Sequence, residues 1–303
     1  MNINKNVIIC GIVRNAGNLI AHNIQLALKT GEYFNKYQII VYENNSTDNT
    51  KSELSNFSNH SNIKIISEDI LDIDKRENNK IWAYTEITGS SHPCRIELIS
   101  NARNKLLQEI RKEEYNDYSH IIVIDFDSHG WEIDGIIDSF QRTENWDALF
   151  ASSRQYYDFY ALRSHHLLFG PEIIGQNFWC GFPVVNFKSK KLVPVYSAFN
   201  GIGIYKKELL MNFDYDFQIN ENVKKVYRGI FRNLKEPDPK LLHAICSPCE
   251  KFPNFIKDEN TDIIWKSNSG YDSPVVCEHV CLNFALVLNG YKLFINPQMI
   301  YHR

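Results

Sequence analysis

Strand-length apolar runs alternate with helical periodicities along the first half of the chain. The clearest helical stripe is formed by Ile99, Ala102, Leu106 and Ile110, which recur every three to four residues. Strands that alternate with helices over short connections are typical of a mostly parallel sheet covered by helices. The sequence therefore predicts an α/β fold, with strands at 7–13, 38–42, 63–66 and 121–124 and helices that begin near residues 18 and 94.

The second half of the chain has a less regular pattern. We predict strands at 148–152 and 203–205, a helix that begins at Glu278 and ends at Gly290, and a last strand at 292–295 before Pro297. The segments 153–177 and 212–260 are expected to be irregular or partly helical. Because the sequence contains no repeat and no low-complexity linker, we predict one domain over residues 1–303.

Charge and hydropathy exclude several classes of protein. The 33 basic and 36 acidic residues give a net charge of −3, which provides no basic surface for a nucleic-acid backbone. No apolar run reaches the roughly 20 residues that span a bilayer. Arg14 and Asn15 also interrupt the first apolar run too early for a signal peptide. We expect a cytoplasmic protein without a transmembrane segment, and peripheral membrane association remains open.

Seven cysteines make an odd number in a chain too long to need a disulfide framework. Cys246 and Cys249 form a C-x2-C pair, and Cys277 and Cys281 follow at helical spacing, so a zinc knuckle is conceivable. Buried reduced thiols are the favoured interpretation.

The sharpest candidate for chemistry is the Asp125-Phe126-Asp127 sequence directly after an apolar strand. In extended backbone the two carboxylates lie on the same side, where they can share a hard cation. The carboxyl ends of strands in open α/β sheets are ligand-binding edges. Alone, a D-x-D sequence is more often a polar turn.

Two further polar segments are predicted at the same edge. Glu43, Asn44 and Asp48 follow the second strand, where they can bind a base or a ribose or can cap the next helix. Arg14 follows the first strand. Arg103 shares its side of a helix with apolar residues, so its guanidinium is expected to point inward, toward a phosphate or a sugar hydroxyl.

Three residues of the second half complete the candidate site. Glu278 is interpreted either as a general base or as a first-turn carboxylate favoured by the helix dipole. His279 can orient Glu278 or bind substrate. His302 can add an imidazole to a metal held by Asp125 and Asp127, which favours Mn²⁺ over Mg²⁺.

The order of these motifs along the chain resembles that of a GT-A type glycosyltransferase. They comprise ENNSTDNT, the A-R-N sequence at Arg103, the D-x-D strand end, the Asn200-Gly201 turn, Glu278 and the near-terminal His302. YENNSTDNT and the C-E-H sequence are most similar to the fungal capsule mannosyltransferase type, and the overall order is also similar to glycosyltransferase family two.

The resemblance implies a Rossmann-like sheet whose 1–130 half binds the nucleotide-sugar and whose 131–303 half binds the acceptor. It also implies transfer of a sugar from a UDP- or GDP-sugar to a hydroxyl acceptor, such as a glycan, with a divalent metal. Glu43 and Asn44 would contact the base or ribose, Asp125 the ribose and the metal, and Asp127 the metal. Inverting members carry an E-D pair where this chain has Glu278 and His279, so the base and the stereochemistry remain open.

Two alternative functions remain. A sugar-nucleotide nucleotidyltransferase would need a glycine-rich, basic loop after the first strand, and GIVRNAGN is poor in both features. A non-catalytic carbohydrate-binding protein could have the same fold, although both carboxylates of the D-x-D sequence are present.

Overall fold

The computed structural model describes residues 2–70, 93–175, 190–248, 254–267 and 274–303, with side chains from residue 96 onward in the helix that begins at 93. The strands are β1 Ile3–Val13, β2 Phe34–Asn44, β3 Ile63–Glu68, β4 His120–Ile124, β5 Gly130–Trp131, β6 Ala148–Ser152, β7 Val193–Pro194, β8 Ile202–Lys206, β9 Phe255–Lys257, β10 Ile264–Lys266 and β11 Leu293–His302. The helices are α1 Leu19–Gly31, α2 Thr50–Ser55, α3 Pro93–Ile110, α4 Ile133–Gln141, α5 Pro171–Ile174, α6 Lys207–Asn212, α7 Glu221–Arg232, α8 Pro239–Cys246 and α9 Glu278–Leu288.

Within the described residues, a sheet of nine strands has the order β3-β2-β1-β4-β8-β6-β11-β5, and β7 pairs with β11. β1, β2, β3 and β4 pair in parallel, as do β6 and β11. β8 lies antiparallel between β4 and β6. The predicted α/β class with a mostly parallel sheet is therefore confirmed.

Both faces of the sheet are buried, which explains the continuous apolar runs in the sequence. Along β1, Ile8 and Cys10 face the core under α3, whereas Val7 and Ile9 face the core under α1. None of the helices in the described residues is long and apolar enough to cross a bilayer.

The second half is more regular than the sequence analysis predicted. Within 212–260, α7 buries Val223, Val226, Tyr227 and Ile230, and Asn220 caps it by accepting a hydrogen bond from the amide of Val223. This i, i+3, i+4, i+7 spacing was a helical signal that we did not assign. α4 also lies in a segment without an assigned element.

The last strand does not end before Pro297, contrary to the prediction. β11 pairs with β6 up to Ile295 and again at Ile300, with a register shift between the two positions. Proline lacks an amide hydrogen, and the shift leaves Pro297 outside the paired positions, so the strand continues through it. As a result, β11 extends to the edge where β4 ends.

A fully buried ion pair stabilises the second half. Arg163 donates two hydrogen bonds to Glu172, at 2.9 and 3.0 Å, and both side chains are 0% exposed. The hydroxyl of Tyr227 also donates to Glu172 and accepts from Arg163. α5 and α7 are thereby joined through a satisfied polar network, as buried charges require.

His120 should make stability depend on pH. Its ring is buried beside Phe140 and Trp146, and burial, assisted by Lys5 and Lys206, lowers its pKa from 6.5 to about 4. The unfolded chain therefore binds a proton that the folded state resists. We expect the free energy of unfolding to fall by as much as about 3 kcal/mol as the pH drops from 6.5, the ordinary pKa, to about 4, the pKa in the folded state.

Urea unfolding at about pH 7 and about pH 4.5 would measure this dependence. His120→Gln should weaken it, while substitution of the exposed His60 by Gln should leave it unchanged. An equal pH dependence in the wild type and the His120→Gln variant would contradict the assignment.

Candidate functional site

The candidate site lies at the sheet edge where β1, β2, β4, β6 and β11 end and where the antiparallel β8 begins. Loops that follow these strands converge there, and α3 and α9 supply further side chains from one face of the sheet. This is the ligand-binding edge of open α/β sheets.

Asp125 and Asp127 follow β4 as predicted. Phe126, between them, is fully buried in the core under α1. The backbone of Asp125 is fixed at both ends, because its amide donates to the carbonyl of Gly201 and its carbonyl accepts from the hydroxyl of Tyr301, each at 2.9 Å. Asp127 is exposed.

Arg103 bridges two carboxylates at the centre of the site. Its Nη2 donates to Oδ1 of Asp125 and its Nε to Oε1 of Glu278, both at 3.1 Å. The side chains of Arg103, Glu278 and Asp125 are 5%, 8% and 27% exposed. The predicted inward orientation is confirmed, but these nitrogens bind protein carboxylates, which leaves them occupied with respect to a phosphate.

Burial is the largest influence on the pKa values of Asp125 and Arg103. It raises the pKa of Asp125 to about 7, although Arg103 opposes the shift and Asp127 adds to it. Burial alone would lower the pKa of Arg103, yet Asp125 and Glu278 together raise it above its usual value. Arg103 therefore remains a cation in an enclosed, acidic environment.

Aromatic rings enclose the guanidinium. Its central carbon lies 4.9 Å from the ring centroid of Phe199 and 5.7 Å from that of Tyr215. His279 stacks on Phe199 with centroids 3.8 Å apart and meets Tyr215 edge-on. Burial, followed by the charge of Arg103, holds the pKa of His279 well below its usual value. The imidazole is therefore neutral.

Glu278 begins α9 and is held from two sides. Besides Arg103, the thiol of Cys277 donates to its Oε2 at 3.5 Å. Nε2 of His279 lies 3.5 Å from Oε1 without forming a hydrogen bond. The neutral imidazole therefore packs beside the carboxylate without forming a charged pair.

Asp158 lies at the same edge and was missed in the sequence, whereas its partner Asn200 belongs to the Asn200-Gly201 turn noted there. Asp158 accepts hydrogen bonds from the amides of Ala161 and Asn200, at 3.2 and 3.0 Å. Burial raises the pKa of Asp158, and the charge of Glu278 contributes. Asn200 has a positive φ of 52°. The available signal was that Asp158 closely follows the strand 148–152, as Asp125 follows β4.

The predicted nucleotide loop after β2 is supported from inside by Glu43. This carboxylate is fully buried and accepts from the amide of Ser46 at 2.7 Å and from the hydroxyl of Ser67. Both oxygens thus bind the protein, because an unpaired carboxylate would be costly there. In this arrangement the buried side chain of Glu43 holds the loop to the end of β3.

The other predicted residues of this region lie at the surface or within the loop. Asp48 is exposed, and its pKa is lowered mainly by the hydroxyl of Thr50, which donates to it at 2.6 Å. Asn44 donates to the side chain of Asn45 at 3.2 Å. Arg14 is exposed after β1. The prediction that these residues bind nucleotide remains a prediction.

His302 lies near the edge, with Nε2 3.6 Å from Oε1 of Glu132. Across the described ranges, no group of three or more histidine, cysteine, aspartate or glutamate side chains is arranged to hold a metal ion. The prediction that Asp125, Asp127 and His302 share a metal ion remains a prediction.

Several other candidates can now be placed. Cys10, Cys246, Cys277 and Cys281 are free thiols, and Cys281 donates to the carbonyl of Gln218. Cys249, the other half of the conceivable zinc pair, lies outside the described residues.

The structure is that of an α/β protein with a mostly parallel sheet, in which one buried arginine bridges two carboxylates at the edge where the parallel strands end. The chain matches the family described as cryptococcal mannosyltransferase 1 over residues 6–244. Since this match covers most of the chain, the protein belongs to that family, in agreement with the resemblance seen in the sequence. No curated protein matches it.

Solved structures show distant similarities. Staphylococcus aureus TarS 1–349 is 15% identical with a TM-score of 0.40, over 70% of this chain and 50% of that one. The mannosyltransferase PcManGT from Pyrobaculum calidifontis, in complex with GDP-Man and Mn²⁺, is 12% identical with a TM-score of 0.39, over 70% and 48%. The chain thus spans about half the length of these proteins. At these scores, neither similarity bears on its activity.

Replacing Arg103 by Met should destabilise the fold by about 3 to 5 kcal/mol, because two enclosed carboxylates lose their shared cation. In the double variant Arg103→Met/Glu278→Gln, the loss should be smaller than the sum of the two single losses. Denaturant unfolding of the four proteins measures this coupling. Additive losses would show that the bridge is not an energetic unit.

Proposed function

We propose that the chain is a metal-dependent glycosyltransferase that moves a mannosyl group from a nucleotide-sugar to a hydroxyl group of a glycan. The observation that carries this proposal is the Arg103 bridge, which fixes the D-x-D strand end and Glu278 in one site at the ligand-binding edge. The description of the family as mannosyltransferases supports the choice of sugar.

Asp125 and Asp127 would hold a divalent cation together with the diphosphate of a UDP- or GDP-sugar. Asp127 fits this role because it is exposed and forms no hydrogen bond or ion pair with the part of the chain that the structure describes. Two carboxylates suit a cation that takes its remaining ligands from phosphate and water. His302 could join through an imidazole nitrogen, which favours Mn²⁺ over Mg²⁺. The bound metal would neutralise charge on the departing diphosphate.

On the acceptor side, we propose that Glu278 takes the proton of the attacking hydroxyl. When Glu278 becomes neutral, Arg103 would still have Asp125 as an ion-pair partner, so its charge would not be left unpaired. His279 would keep the carboxylate in place through packing. Residues 1–130 would then supply most donor contacts, and residues 131–303 would supply the base, Asp158 and Asn200.

Asp127→Asn should lower the transfer rate at least about 100-fold with little loss of stability, because the side chain is exposed and its charge would hold the metal. Chelation should abolish wild-type transfer, and Mn²⁺ should restore it. The matched control is Asp134→Asn, an exposed carboxylate in the first turn of α4. Wild-type turnover by Asp127→Asn after chelation would refute the metal role.

Glu278→Gln should abolish transfer while leaving nucleotide binding intact, because the amide keeps the shape of the side chain but cannot accept the proton. Product formation by mass spectrometry and nucleotide binding by calorimetry test the two parts separately. Unimpaired transfer would eliminate Glu278 as the base.

The alternative functions give different products in the same assay. A nucleotidyltransferase would release pyrophosphate from a nucleoside triphosphate and a sugar phosphate. A non-catalytic carbohydrate-binding protein would neither transfer sugar nor hydrolyse any sugar nucleotide with Mn²⁺ present.

A further inference from the structure

Arg303 follows β11 at the edge of the sheet where the candidate site lies. The central carbon of its guanidinium is 4.6 Å from the ring centroid of Tyr157. Tyr157 stacks on Tyr301 with centroids 6.2 Å apart and an interplanar angle of 27°. Tyr301 in turn donates a hydrogen bond to the carbonyl of Asp125 at 2.9 Å. A ladder of two aromatic rings therefore connects this cation to the D-x-D strand end.

These ring contacts and the hydrogen bond place Arg303 on the same edge of the sheet as Asp125. A cation at this position can act on an anion that is bound beside the aspartates.

Arg103 pairs with two carboxylates, whereas Arg303 contacts an aromatic ring. Arg103 is buried and its Nε and Nη2 bind two carboxylates. Arg303 is exposed, and no ion pair joins it to a carboxylate within the described ranges. Stacking on Tyr157 occupies one face of the guanidinium, and among the described residues no carboxylate forms an ion pair with its N–H edges.

We propose that Arg303 binds the diphosphate group of the donor and stabilises the nucleoside diphosphate as it leaves. This inference rests on the proposed function and adds a residue to it. A planar guanidinium fork matches two phosphate oxygens, and the aromatic ladder limits the rotamer freedom lost on binding.

Each bond and proton of the proposed transfer step is accounted for. The bond between the anomeric carbon and the diphosphate oxygen breaks, and its electron pair remains on that oxygen. The acceptor oxygen bonds to the anomeric carbon, and the acceptor proton passes to the base. Arg303 would donate hydrogen bonds to the diphosphate as its negative charge develops.

Calorimetry with GDP, UDP and inorganic pyrophosphate in the presence of Mn²⁺ tests the proposal. Arg303→Gln should weaken binding of the nucleoside diphosphate that the wild type binds by about 10- to 100-fold, as expected for lost hydrogen bonds to a charged group. Arg303→Lys should lie between the two. Arg232→Gln, an exposed arginine at the end of α7, is the matched control and should bind like the wild type.

The tyrosine supplies a second, independent test. Tyr157→Phe keeps the ring beneath Arg303 and should retain binding, whereas Tyr157→Leu removes it and should weaken diphosphate binding several-fold. Melting temperatures separate this effect from a general loss of structure, since Arg303→Gln should melt like the wild type.

Two results have distinct meanings. If the wild type binds a nucleoside diphosphate and Arg303→Gln binds it equally well, the role of Arg303 is refuted while the proposed function survives. If the wild type binds neither GDP nor UDP with Mn²⁺, the proposed function itself fails.

Discussion

The shared guanidinium of Arg103 is the interaction on which the candidate site depends. Removing a cation and two carboxylates from water is costly unless each finds a partner. Here the carboxylates come from the end of β4 and the start of α9, and the arginine from α3. These elements must therefore reach their positions together. Ile96 and Leu107 on α3 are buried and turn Arg103 inward, and Phe199 and Tyr215 exclude water around it.

Much of the fold could be predicted from the sequence because a sheet buried on both faces leaves continuous apolar runs. The ends of these runs also placed Asp125 and Asp127 directly after β4, at the edge of the sheet where they lie. The positions of charged residues in the sequence were less informative about which way their side chains point. Glu43 has the same sequence context as a ligand-binding carboxylate, yet it is turned inward by Ser46 and Ser67. Whether a carboxylate faces solvent or an internal amide depends on loop conformation, which no periodicity encodes.

Asp158 and Arg303 illustrate what local patterns miss. Asp158 and Asn200 are joined across the sheet edge by a hydrogen bond between positions 42 residues apart. Arg303 reaches the edge because β11 continues past Pro297 through a register shift. The balanced composition of the chain likewise conceals an uneven distribution, since Asp125 and Glu278 share one buried arginine at this edge.

The hydrogen bond from Tyr301 to the carbonyl of Asp125 joins residues 176 positions apart in the chain, and the bond from Arg103 to Glu278 spans 175. Neighbouring parallel strands such as β1 and β2 need only one helical crossover to pair. Closing the much longer loops costs more entropy and is repaid only when the distant elements dock. We therefore expect the candidate site to form late in folding, after the parallel strands around β1 have paired.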